Sequence, residues 1–151
     1  MTGGKFTTTI DTPIDRVWAV VGDLNTHASW SPKPYEMEWT SGEPNQVGSR
    51  LHSVGSVPGA SHNQNDTEIT ERVEPTRLVL RANDPQGVFV NEYNLRVIDA
   101  RTSEVAYTIT FPKLHGMAAV LGPVAFPLVG KPDIRKRLEL LKRKVENETQ
   151  P

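Results

Sequence analysis

The sequence predicts an α+β fold in which a curved, seven-stranded antiparallel sheet wraps around one long C-terminal helix. Three observations predict it. A threonine-rich alternating segment runs straight into helix-start signals, six further alternating segments follow with short connections, and the chain closes on a helix with a single apolar stripe.

KFTTTID, residues 5–11, alternates bulky and polar side chains, the period of a half-buried strand. Thr12 then stands as an N-cap, Pro13 takes the first helical position, and Asp15 lies three residues after the cap. This is a capping box in which the missing proline N–H costs nothing. Ile14, Val17, Trp18 and Val21 recur at helical spacing until Gly22 ends the helix. DLNTHASW, residues 23–30, reads as a second short helix, so two short helices follow the first strand.

Strand patterns then occupy 35–41, 47–54, 66–73, 77–82, 88–98 and 104–111. DPQG at 84–87 places Asp, Pro and Gly where a type I turn needs them. Short connections favour consecutive antiparallel pairing, a meander beside the first strand. GASHNQN, which contains His62, reads as a solvated polar loop. Residues 112–130 are apolar but interrupted, and Pro123 and Pro127 argue against one continuous helix. This stretch reads either as a lid at a cavity mouth or as an irregular lead-in packed on the sheet. Residues 133–148 form a strong helix, with Ile134, Leu138, Leu141 and Val145 on one side and Glu139–Arg143 as a favourable i,i+4 pair. No repeat or linker divides the chain, so 1–151 reads as one domain.

A strongly curved sheet cannot fill its concave side with strand side chains alone. A helix lying across that side leaves a cavity. The two short helices would plug one end, with Trp30 where the plug meets the cavity.

Composition narrows the function. The net charge of −1 argues against nucleic acid as the main partner. The absence of cysteine excludes disulfides, thiolate zinc sites and cysteine nucleophiles. No apolar leader and no run of about 18 apolar residues is present, so a cytoplasmic monomer or homodimer is expected. GxSxG, HExxH and glycine-rich phosphate loops are missing from the sequence, and no cofactor or metal is expected.

IDTPIDRVWAVVGDLNTHASWSP, VGSRLHS, ITERVEPTRLVLR and RKRLELLKRK lie in this order over nearly the full length. Together they resemble the SRPBCC superfamily, the helix-grip fold of polyketide cyclases, START lipid-transfer domains and the birch-pollen allergen group. The resemblance is nearest the bacterial polyketide cyclase/dehydrase and lipid-transport branch. It implies a cavity for a hydrophobic small molecule, but its motifs mark caps, turns and packing rather than a reaction. Some cyclases of this family use an arginine and a tyrosine. Tyr35, Tyr93 and Arg50 are the positions that would carry those roles here.

Strand alternation places Phe89, Asn91, Tyr93, Leu95 and Val97 on one face. It likewise groups Val105, Tyr107, Ile109 and Phe111, and Met37 with Trp39. The expected ligand-facing set is therefore Trp30, Met37, Trp39, Leu51, Phe89, Asn91, Tyr93, Tyr107 and Ile109. His115 and Met117 join it from the apolar segment, and Leu138 from the terminal helix. Glu71 shares its face with Ile69 and Val73, and burial there would call for a raised pKa or a basic partner, Arg50 or Arg81. His27, His52, His62 and His115 are dispersed without metal-ligand spacing; His27 and His115 are acid–base candidates.

Between Lys131 and Val145 seven Lys/Arg face two Asp/Glu, a balance of +5 that leaves −6 for the remainder. This predicts a basic outer helix face, simply solvated or in transient contact with anionic lipid headgroups. The leading expectation is a non-enzymatic carrier of a lipid or polyketide-like compound. Its rivals are an aromatase/cyclase using the same cavity and a stress-response interaction module with a filled interior.

Overall fold

The computed structural model describes residues 2–33, 35–57 and 60–149. Strand β1 (Thr2–Ile10) leads into helix α1 (Ile14–Val21) and a 3-10 helix (Leu24–Trp30). Strands β2 (Tyr35–Ser41), β3 (Arg50–Val57), β4 (Ala60–Val73), β5 (Arg77–Asp84), β6 (Gly87–Asp99) and β7 (Thr102–Leu114) follow. Helix α2 (Gly116–Ala125), a π-helical turn (Phe126–Gly130) and helix α3 (Lys131–Thr149) complete the chain. All seven strands form one antiparallel sheet in the order β1-β7-β6-β5-β4-β3-β2. The expected meander and helix-grip arrangement are present.

Several local expectations are corrected. The cap position of α1 falls on Pro13 (φ −58°, ψ 149°), without a side-chain cap bond. Thr12 is instead drawn into the tertiary structure: it is buried, and its carbonyl accepts from Ser103 Oγ at 2.7 Å. Gly22 closes α1 in the right-handed region, so positive φ is not its reason. A Cβ there would lie 2.6 Å from the Trp18 indole, and glycine is what lets that ring lie flat on the chain.

GASHNQN is not a loop. The β3–β4 ladder runs out to Val57↔Ala60, so His62 is an exposed strand residue, while Gly59 lies outside the described residues. At the far end of β6 the ladder shifts register between Val97 and Asp99, and Val97 is exposed rather than inward.

As Pro123 and Pro127 imply, residues 112–130 do not form one continuous helix. Pro123 is tolerated inside α2, and Pro127 lies in the π turn, where the Lys131 N–H donates to the Phe126 carbonyl. The wider π turn accommodates the proline, and the helices on either side of this break meet at 54°. No α2 residue is buried, so this part of the segment stays outside the core; Phe126 in the π turn packs against it, its ring 5.1 Å from that of Phe111. Among the described residues no single helix is long and apolar enough to cross a membrane.

Helix α3 lays Ile134, Leu138, Leu141 and Val145 into one core with Phe6, Ile10, Val17, Val21 and Val105. It packs on β1, α1 and the 3-10 helix. Leu141 is fully buried. Leu141→Ala should cost about 2–5 kcal/mol in urea unfolding, whereas exposed Lys136→Ala should stay within about 0.5 kcal/mol.

Candidate functional site

A cavity of about 900 Å³ lies between the concave sheet, the 3-10 helix and the helical C-terminal segment. Strand alternation builds its apolar walls: Met37, Leu51, Leu80, Ala82, Phe89, Ile109 and Phe111 project from successive strands. Helix α2 borders it through Met117, Ala118 and Leu121, and the π turn contributes Phe126.

A polar cluster interrupts this lining. Arg137 enters from α3, Tyr35 from the start of β2, Tyr93 from β6 and Tyr107 from β7. Tyr93 and Tyr107 are directly opposed across the β6–β7 ladder, with ring centroids 4.9 Å apart. The Tyr107 hydroxyl donates to Asn91 Oδ1, which gives the amide oxygen a partner in the middle of an apolar face.

Burial works against the charge of Arg137, but Tyr93, Tyr107, Tyr35 and Asp133 offset it and hold its pKa above the ordinary arginine value. The guanidinium is a permanent cation. Among the described residues no carboxylate comes within ion-pairing distance of it, although Asp133, four residues earlier on α3, also lines the cavity.

Burial pushes the phenols the other way. Tyr35 rises to about 12, and Tyr93 and Tyr107 also rise, in each case against an opposing pull from Arg137. All three are neutral hydroxyls at physiological pH. A fixed cation and neutral O–H donors therefore share one end of an apolar chamber.

His27 supports this end. Its Nε2 lies 2.8 Å from the Val21 carbonyl, so Nε2 carries the proton and donates. Its ring packs 4.5 Å from Trp30 and 5.7 Å from Tyr93. Burial lowers its pKa to about 4, the Val21 hydrogen bond only partly opposing this. It is a neutral packing and positioning group, not a proton donor near pH 7.

Polar groups on the opposite wall are tied to one another. Asn63 Nδ2 donates to Asp84 Oδ2 at 3.0 Å, and Thr67 Oγ1 to Asn65 Oδ1 at 2.8 Å. Asp84 Oδ1 accepts from the backbone N–H groups of Gln86 and Gly87, closing the β5–β6 turn. Among the described residues no group of three His, Asp or Glu side chains is arranged to hold a metal.

The structure brings Met37, Leu51, Phe89, Asn91, Tyr93, Tyr107, Ile109, His115 and Met117 to the cavity. Four other expected residues lie elsewhere. Trp30 is fully buried behind His27 and Tyr93 because the 3-10 helix turns it into the core, where Nε1 donates to Thr26 Oγ1 at 3.3 Å. Trp39 is turned to the 3-10 helix, its Nε1 donating to Asn25 Oδ1 at 3.0 Å. Leu138 packs in the core toward β1, one helical step away from the chamber. Glu71 is exposed: a bulge between Ile69 and Glu71 turns it to the outer face, where Arg77 Nε is 3.0 Å away.

That bulge also corrects the proposed partners of Glu71. Arg50 is on the outer face with Glu68 at 3.0 Å and is removed from the cyclase-like roles, while Arg81 is exposed. His52 pairs with Asp66 at 2.8 Å away from the cavity. Sequence reasoning missed Arg137 by counting it among the outer basic residues. Its position, three after Ile134 and four before Leu141, was the available signal, since it places Arg137 on the apolar stripe.

The depressed His27 pKa has a definite sign. Above about pH 6.5 both folded and unfolded states hold it neutral; below that, the unfolded chain takes up a proton that the folded chain refuses until about pH 4. Stability should therefore fall by roughly 3 kcal/mol across that window. Urea unfolding of the parent and of His27→Gln at successive pH values measures it, and the variant should show a flatter profile.

The chain matches the family model described as polyketide cyclase/dehydrase and lipid transport over residues 2–146. No curated protein matches it. Among solved structures, the Zhui aromatase/cyclase from a Streptomyces species superimposes with a TM-score of 0.79 at 19% identity, covering 97% of this chain and 94% of that one. A Thermus thermophilus protein gives 0.74 at 15% identity, with 97% and 98% coverage. The di-domain aromatase/cyclase StfQ of the steffimycin pathway gives 0.74 at 11% identity, covering 96% of this chain and 45% of that one. At these identities the superpositions establish shared fold alone, while the family match spans almost the whole chain. The chain belongs to the polyketide cyclase/dehydrase and lipid transport family.

Proposed function

We propose that this protein binds and carries a hydrophobic small molecule, lipid or polyketide-like, with an oxygen-rich or anionic end held against Arg137. The observation that carries this reading is a permanently charged guanidinium, with no carboxylate in ion-pairing distance among the described residues, facing an apolar chamber of about 900 Å³. A half-buried guanidinium offers forked N–H donors to the chamber, and a ligand oxygen can accept them in a charge-assisted hydrogen bond. The volume suits a small-molecule cargo. A ligand burying about 300 Å² of apolar surface would gain roughly 7 kcal/mol before association costs. The interaction-module reading called for a filled interior and is not carried further.

A second reading, aromatase/cyclase, is favoured by the convergence of Arg137 with Tyr93 and Tyr107. The neutral Tyr93 hydroxyl beside a fixed cation can hold a ketone oxygen as it gains enolate charge, and the chamber would fold a poly-β-keto chain by confinement. Asp133, which also lines the cavity, would take the α-proton in that scheme.

Native mass spectrometry of the purified protein should reveal a retained ligand if it is a carrier. Titration with 2-naphthoate, using its methyl ester as the uncharged control, tests the anchoring group. Arg137→Gln should weaken naphthoate binding about 10- to 100-fold and ester binding far less. Equal affinity in parent and variant would refute the anchor. Turnover of a poly-β-keto thioester analogue, lost in Asp133→Asn with binding retained, would establish the cyclase reading over the carrier.

A further inference from the structure

Helix α2 has the sequence GMAAVLGPVA, with no charged or hydrogen-bonding side chain on any side. None of its residues is buried. Val120 is 70% exposed and Val124 65%, and Leu128 in the following turn reaches 72%. A helix apolar all round is normally enclosed by its own protein or by lipid. This one is not enclosed by its own chain.

Three features select the occupant. The inner stripe of α2 borders the cavity, and the outer stripe with Val120 and Val124 carries no polar side chain of the kind that rims a protein interface, whereas hydrocarbon asks for none. At about 1.5 Å per residue, α2 is about 15 Å long, half a hydrocarbon core, so it can dip into a bilayer but not span one. Charge agrees: Lys113 and Lys131 bracket the segment, and residues 112–132 contain no Asp or Glu. Lysines at both ends of an apolar segment place their ammonium groups at headgroup phosphates while the stems lie along the acyl boundary.

The position of α2 gives this surface a purpose. Met117 and Leu121 are exposed on the outside and also line the cavity, so apolar surface is continuous from the helix exterior into the chamber. We infer that α2 and the π turn seat the protein on an anionic phospholipid bilayer, with the cavity mouth at the membrane surface. Cargo then passes between bilayer and chamber without crossing water. This transfer role rests on the carrier reading; the seating itself does not.

Flotation of the full chain with vesicles tests it. The parent should float with phosphatidylcholine vesicles containing phosphatidylglycerol, less with phosphatidylcholine alone, and less again at high salt. Val120 and Val124 do not line the cavity, so Val120→Asp/Val124→Asp should reduce vesicle binding roughly 10-fold or more while leaving naphthoate affinity in solution unchanged. Lys113→Glu/Lys131→Glu should remove the preference for phosphatidylglycerol. A parent that fails to float, or a double-Asp variant that floats equally well, overturns the seating. So does a dimer of the parent in sedimentation velocity that the double-Asp variant dissolves, because a second copy then covers the face. Loss of naphthoate binding by the parent, with flotation intact, would instead count against the carrier reading alone.

Discussion

The apolar seam between α3 and the sheet governs the rest of the structure. Ile134, Leu138, Leu141 and Val145 lie at helical spacing and enter the same core as Phe6, Ile10 and Val105. Contact is tight toward β1. Toward the start of α3, Gly130, Asp133 and Arg137 face open space instead. The helix is thus held firmly along one margin of the curved sheet and stands away from the other. The cavity is a consequence of that tilted grip, because strand side chains cannot reach across the remaining gap.

The chamber is kept polar at one end by groups whose protonation is settled by burial. Desolvation alone would disfavour the charge on Arg137, and the same desolvation keeps Tyr35, Tyr93 and Tyr107 neutral. Tyr35 and Tyr93 therefore remain O–H donors beside the guanidinium, while Tyr107 gives its own proton to Asn91. His27 fixes their surroundings: its bond to the Val21 carbonyl ties the 3-10 helix to α1, and its ring lies against Tyr93. Trp30 is the packing behind this polar end.

The outer sheet face follows different physics. Arg50–Glu68, Arg77–Glu71 and Arg96–Glu104 are cross-strand or near-strand pairs open to solvent. Such pairs contribute little stability and chiefly keep the sheet surface wet. Arg72 departs from this pattern. Past the bulge after Ile69 it turns inward, its guanidinium 4.9 Å from the Trp18 ring centre and donating to the Gly22 carbonyl. One extra residue in a strand sends Glu71 out to water and brings Arg72 onto the helix pair.

Periodicity by itself determined the element order, the meander, the terminal helix and most of the aromatic wall, because strand alternation and helical spacing are local properties that tertiary packing preserved. Phe89, Tyr93, Tyr107 and Ile109 were legible for that reason. Tertiary structure decided what local pattern could not. A bulge reversed the face of Glu71, a 3-10 turn buried Trp30 in the core, and a π turn carried the helical path past Pro127. Arg137 shows the division most clearly. Its spacing put it on the apolar stripe, but whether that part of the stripe meets core or cavity depends on how far α3 stands from the sheet, which is set by contacts between residues more than a hundred positions apart.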